Sequence, residues 1–83
     1  MEHYLIIARS VTFAQRMQKT LARAGIRSLI FRAPRELTEL GCAYAVQITA
    51  ADLPTALRAL HREALDPVQI FLHQRGLYRE VGL

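Results

Sequence analysis

Residues 3–8 read HYLIIA. This nearly continuous apolar run contains β-branched and aromatic members and is too short for a helix, so it reads as a central strand. A strand of that kind needs neighbours in the sheet and a layer to cover it, and the remaining residues must supply both. Two segments have the pattern of a covering layer. In SVTFAQRMQKTLARAG, Phe13, Met17, Leu21 and Ala24 recur at helical spacing, with Ala14 on their face and Arg16, Lys19 and Arg23 opposite. Thr12 with Gln15 fits a capping box, Ser10 is a second candidate cap, and Gly25 stands where a helix is left. In TAADLPTALRALHREAL, Leu53, Ala56, Leu57, Leu60 and Ala64 form the apolar stripe. Thr49 and Asp52 resemble a capping box there, Pro54 suits a first turn, and Asp66-Pro67 predicts the stop.

Three more short segments read as strands. RSLIFRA alternates Leu29 and Phe31 with Ser28, Ile30 and Arg32. CAYAVQI puts Tyr44, Val46 and Ile48 on one side. VQIFLHQ puts Val68, Ile70 and Leu72 on one side and Gln69, Phe71 and His73 on the other. Between the second and third strands Pro34 begins a short helical turn that Gly41 ends. The order β-α-β-β-α-β predicts an α+β fold of the ferredoxin-like kind, a four-stranded antiparallel sheet with two helices on one face. A single domain over 1–83 is expected, with its core at about 3–73 and a C-terminal extension over 74–83. The helix-free face is expected to be open, with Phe71 on it as a surface for self-association or a partner.

Composition narrows the function classes. Of 83 residues 52% are hydrophobic and 22% charged, which is globular rather than disordered. No apolar stretch approaches the ~20 residues of a membrane span, and Met1-Glu2-His3 does not begin a signal peptide. One cysteine cannot form an internal disulfide, so a reducing compartment, the cytoplasm, is expected. The formal charge of +4, with ten of eleven bases Arg, is compatible with acidic partners. Nucleic acid is the weaker reading. The strands offer one Phe each at Phe31 and Phe71, without the interleaved aromatics of an RNA-binding sheet. No paired carboxylates, glycine-rich phosphate loop or Ser/His/Asp arrangement points to a hydrolase.

Cys42 is the sharpest chemical candidate. A thiolate can attack a sulfane sulfur, hold it and pass it on, provided that it ionises near neutral pH and a partner can reach it. A loop-to-strand junction gives access, Gly41 permits close backbone approach, and Arg35 is placed to hold the thiolate's charge if the loop folds back. Lowering a thiol pKa by about one unit needs only ~1.4 kcal/mol. The competing reading is a buried packing thiol. Ser10, with Arg9, opens a helix whose N–H groups favour anions such as phosphate or selenophosphate, against the plainer role of a cap. His3, His61 and His73 fit no metal-site spacing. A cross-strand His3–His73 pair joined by Cys42 is the one metal arrangement conceivable, and solvated histidines are the expectation. No cofactor is expected.

Taken together, Tyr4-Leu5-Ile6, Ser10, Ala24-Gly25-Ile26, Pro34-Arg35-Glu36-Leu37 and Cys42 resemble the selenium/sulfur carrier-like family of small bacterial proteins. The likeness runs over about residues 3 to 73. It implies a sulfur or selenium carried on Cys42 as a persulfide or selenopersulfide, and donor and acceptor proteins as partners. The chain departs from the family pattern at Ala43, where a glycine usually follows the cysteine, and in a loop one residue longer with Gly41 ahead of the thiol. The alternative is a non-catalytic, homodimeric or partner-binding module in which Cys42 only packs. With no second cysteine, release of the cargo falls to an external thiol or an acceptor enzyme.

Overall fold

The computed structural model describes residues 2–37 and 43–82. Strand β1 (His3–Ala8) leads into helix α1 (Val11–Arg23), then β2 (Leu29–Arg32), a 3-10 turn (Arg35–Leu37) and β3 (Tyr44–Thr49). A second 3-10 turn (Ala50–Asp52) opens helix α2 (Leu53–Arg62), and β4 (Gln69–Gln74) and β5 (Leu77–Glu80) close the chain. The result is an α+β domain in which two helices cover one face of an antiparallel sheet of order β2-β3-β1-β4-β5. The sheet has five strands rather than the expected four.

The sheet is organised around β1. It pairs with β3 from His3↔Thr49 to Ala8↔Tyr44 and with β4 from His3↔His73 to Ile7↔Gln69. Leu5, Ile6 and Ile7 are completely buried, and each such side chain contributes about 1.5–3 kcal/mol of transfer free energy. Ile6 and Ala8 face the helices, packing with Ala14, Met17 and Leu21 of α1, Ala56 and Leu60 of α2, and Val46 and Ile48 of β3. Tyr44, Val46 and Ile48 therefore share one side, as the alternation predicts.

Leu5 and Ile7 face away from the helices, into a second cluster with Ala43, Ala45 and Phe71. The sequence places Phe71 on this face correctly but leaves it open. In the structure Phe71 is only 7% exposed, with Phe31, Ala33, Leu37 and Tyr78 packed around the cluster. The face carries a small core of its own instead of a bare apolar surface.

Both helices end in the same way. In α1 the Ile26 N–H donates to Leu21 O at 2.9 Å and the Gly25 N–H to Ala22 O at 3.0 Å. In α2 the Leu65 N–H donates to Leu60 O at 2.9 Å and the Ala64 N–H to His61 O at 3.0 Å. These are the paired 6→1 and 5→2 bonds of the Schellman motif, and each closes with a buried apolar pair, Leu21 with Ile26 and Leu60 with Leu65. The motif needs a left-handed residue at its turn. Gly25 takes φ 79° there without strain, while Ala64 takes φ 56° with its Cβ in place. So α2 stops at Arg62, ahead of Asp66-Pro67, and Ala64 lies outside the helix and is exposed. Ala59, which was not part of the expected stripe, is buried in the helix with Ala56 and Leu60.

The segment after residue 73 is a strand. Gln74 pairs with Leu77 across a two-residue loop in which Arg75 (φ 53°) and Gly76 (φ 76°) are both left-handed, as a type I′ hairpin turn requires. Replacing Ala64 by glycine relieves the strain at the end of α2 and raises stability by about 0.5–1 kcal/mol in urea unfolding. Gly25→Ala, at the equivalent place in α1, lowers it by about 1 kcal/mol. Equal effects of the two changes would mean that the two turns differ in conformation from this description.

Candidate functional site

Antiparallel pairing brings two of the sequence candidates, Ser10 and Arg35, to one end of the sheet. Ala8, the last residue of β1, lies opposite Tyr44, the first of β3, and Tyr44 lies opposite Arg32, the last of β2. The Ala33 N–H donates to Ala43 O at 3.1 Å, extending the β2–β3 ladder one step further. Arg9 and Ser10 leave β1 at this end, and the Pro34–Leu37 turn leaves β2 here, closed by the Leu37 N–H on Pro34 O at 3.0 Å. Cys42 and Gly41 lie outside the described residues. The nearest described residues on either side are Leu37, which packs against the second cluster, and Ala43, a buried member of it.

Ser10 caps α1. Its backbone is extended (φ −154°, ψ 164°), its Oγ accepts from the Phe13 N–H at 3.2 Å, and its carbonyl accepts from the Ala14 N–H at 3.0 Å. The side-chain oxygen is thus occupied by the helix, and the Thr12–Gln15 box gives way to Ser10 as the cap. No acidic residue stands in the first turn of α1. Instead two guanidinium groups face the Phe13 ring, Arg9 at 5.1 Å and Arg16 at 6.0 Å from its centroid. Such contacts contribute about 0.5–1 kcal/mol at exposed sites, and they hold two positive charges beside the helix start. The spacing of Arg9, Phe13 and Arg16 carried this signal in the sequence, where Phe13 reads as part of the apolar stripe, Arg16 as part of the opposite face and Arg9 as a partner of Ser10. Arg35 is exposed in its 3-10 turn. It reaches the same end of the sheet as Ser10, on the far side of the β1–β3 pair.

The histidines separate from this site. His3 and His73 are directly paired across β1 and β4, and the His73 ring stacks on Tyr78 at 4.4 Å. They sit five residues along β1 from Ala8, about 17 Å away at the rise of a strand. The register therefore keeps this pair apart from the end where Ala43 lies, and Cys42, the third member of the conceivable metal arrangement, lies outside the described residues. His61 bonds Asp66 at 3.1 Å on the surface. Among the described residues no group of three or more His, Cys, Asp or Glu side chains is placed to hold a metal ion. Among them also, no helix is long and apolar enough to cross a membrane.

A capped helix start, a turn bearing Arg35 and the buried Ala43 that leads into β3 thus meet at one end of the sheet. The protein-family model described as "Putative Se/S carrier protein-like" matches residues 3–72. The chain belongs to this family. The matched span runs from β1 into β4, includes Cys42, and leaves β5 outside. No curated protein and no solved structure matches the chain.

Ser10→Ala removes the acceptor for the Phe13 N–H, and the expected loss is about 1 kcal/mol of unfolding free energy. Ser10→Asp keeps the cap and should recover most of it. Urea melts of the three proteins decide, and an unchanged Ser10→Ala midpoint would count against the cap.

Proposed function

We propose that this protein carries sulfur or selenium on Cys42 between a donor and an acceptor protein, as a persulfide or selenopersulfide, and is not itself a turnover enzyme. The observation that carries the reading is the family match across residues 3–72, a span that contains the chain's one thiol. Ferredoxin-like topology is part of the same reading. The order β2-β3-β1-β4 supports that core, with β5 added on the β4 edge. A reducing, cytoplasmic setting suits a free thiol that must stay available.

In the forward step the Cys42 thiolate attacks the outer sulfur of a donor persulfide. The donor's S–S bond breaks, the donor leaves as its thiolate, and a new S–S bond forms on Cys42 with no net oxidation. In the second step an acceptor thiolate attacks the outer sulfur and Cys42 leaves as thiolate. Selenium follows the same course, with an S–Se bond made and broken. Arg35 supplies the positive charge that favours the thiolate, with the guanidinium of Arg9 and the start of α1 on the same end of the sheet. Gly41 gives the backbone room beside the sulfur. Ser10 contributes through its cap, which orients the helix start, and not as a free hydroxyl.

Two measurements test this. Incubated with a cysteine desulfurase and cysteine, the intact protein gains the mass of one sulfur, and Cys42→Ala gains none. Native thiol labelling is rapid, with a thiolate profile below pH ~8, and Arg35→Gln moves that profile upward. Labelling only after denaturation, with no mass gain from any donor, would assign Cys42 to packing and the protein to the class of binding modules.

A further inference from the structure

The charge of this chain is divided unevenly. Between His3 and Arg35 stand seven of the eleven bases and none of the seven acids. The structure turns this into a surface. Arg16, Lys19 and Arg23 are exposed along the outer side of α1, with Arg9 before the helix and Arg27 after it. From Arg16 to Arg23 the ridge is about 10 Å long at the helical rise. Arg16 and Lys19 are three residues apart and Lys19 and Arg23 four, spacings at which like charges destabilise a helix. Among the described residues no ion pair relieves them. Among the described residues none of Arg9, Arg16, Lys19, Arg23 and Arg27 forms an ion pair. Glu63, which lines a groove with Arg16, Lys19 and Arg23, makes no ion pair either. A helix that keeps such repulsion uncompensated is shaped for opposite charge arriving from elsewhere.

The character of that charge is read from what lies between the bases. The ridge is flanked by a groove of about 570 Å³ where Lys19 and Arg27 alternate with Ala22, Ile26 and Leu29. Leu29, on edge strand β2, is 63% exposed. Apolar side chains set among cations suit a protein rim, where packing and charge act together. A bound nucleic acid strand would instead call for open aromatic platforms. Here Phe13 is already faced by two guanidiniums, and the helix-free face is occupied by its own cluster.

We propose that the outer face of α1, with the start of β2, is the docking surface for an acidic partner protein, whose carboxylates engage Arg16, Lys19, Arg23 and Arg27. The ridge runs from the end of the sheet where Ala43 lies toward the start of β2, so a partner covering it spans to the end from which Cys42 is one residue away in sequence. This deepens the carrier reading by naming the face on which a donor or acceptor sits. The test reads binding alone, so a failure of docking and a failure of sulfur loading are separate results.

Fluorescent poly-L-glutamate serves as the acidic polypeptide and polyuridylate of matched charge as the nucleic acid, with the full chain titrated into each. Two variants carry the same change in net charge at different places, Arg16→Glu/Arg23→Glu on α1 and Arg75→Glu/Arg79→Glu on the β4–β5 hairpin. The expected result is salt-sensitive poly-L-glutamate binding that falls at least ~10-fold in the α1 variant and within about 2-fold in the hairpin variant. Arg16→Gln/Arg23→Gln gives a smaller loss in the same direction. Equal losses in both charge-reversed variants, or no poly-L-glutamate binding by the unaltered protein, overturn the proposal. Tighter binding of polyuridylate at ~0.15 M salt overturns it in favour of nucleic acid.

Discussion

The burial of β1 on both faces is the constraint from which the rest follows. Leu5 and Ile7 point one way and Ile6 and Ala8 the other, and all four are sealed from water. One face demands the two amphipathic helices. The other demands a second cluster, which the chain assembles from Phe31 and Ala33 around β2, Leu37 in the following turn, and Tyr78 on the last strand. The same strand sets the register of both its neighbours. The meeting of α1's start, the Pro34–Leu37 turn and the beginning of β3 at one end is thus a consequence of pairing about β1. It does not depend on any long-range contact made by the candidate residues themselves.

Much of this was legible because it is periodic or punctuated. HYLIIA and the alternation of Tyr44, Val46 and Ile48 carry their own local signal and form as expected; α1 buries Ala14, Met17 and Leu21 as its stripe predicts, but Ala24 is exposed at the C-cap and Thr20 joins the buried side. The misses share a cause. The end of α2 is a Schellman turn built on Ala64, and the β4–β5 hairpin turns through Arg75, so both use a non-glycine residue in a conformation that the sequence advertises only through glycine. Tertiary packing of Leu60 with Leu65, and the ladder from Phe71↔Glu80 to Gln74↔Leu77, hold those residues where propensity alone would not. The closure of the helix-free face was invisible for a different reason. It joins residues from all five strands and the Arg35–Leu37 turn, which meet only once the sheet has paired.

Of the candidate site, Ser10 and Arg35 fall within the described residues, while Gly41 and Cys42 lie outside them. Ser10 was read both as an anion holder and as a cap, and the Phe13 N–H settles its side chain in the second role. Arg35 lies at the end of the sheet where Ser10 opens α1, and Ala43 fixes where β3 begins its ladder. His3 and His73 are neighbours, as their strands suggested, but register rather than residue type decides what else stands near them. The arginines around Phe13 show how a residue counted toward the core can also organise charge at the surface.

The two outermost strands have a bearing on how this protein survives at high concentration. Both β2 and β5 are only four residues long, and they carry Arg32 at one border and Arg79 with Glu80 at the other. A short, charged border is a poor template for a foreign strand, because each added chain must desolvate ions for few main-chain bonds. The sheet is therefore self-limiting. It can present a greasy residue such as Leu29 to solvent without seeding fibrous growth from molecule to molecule.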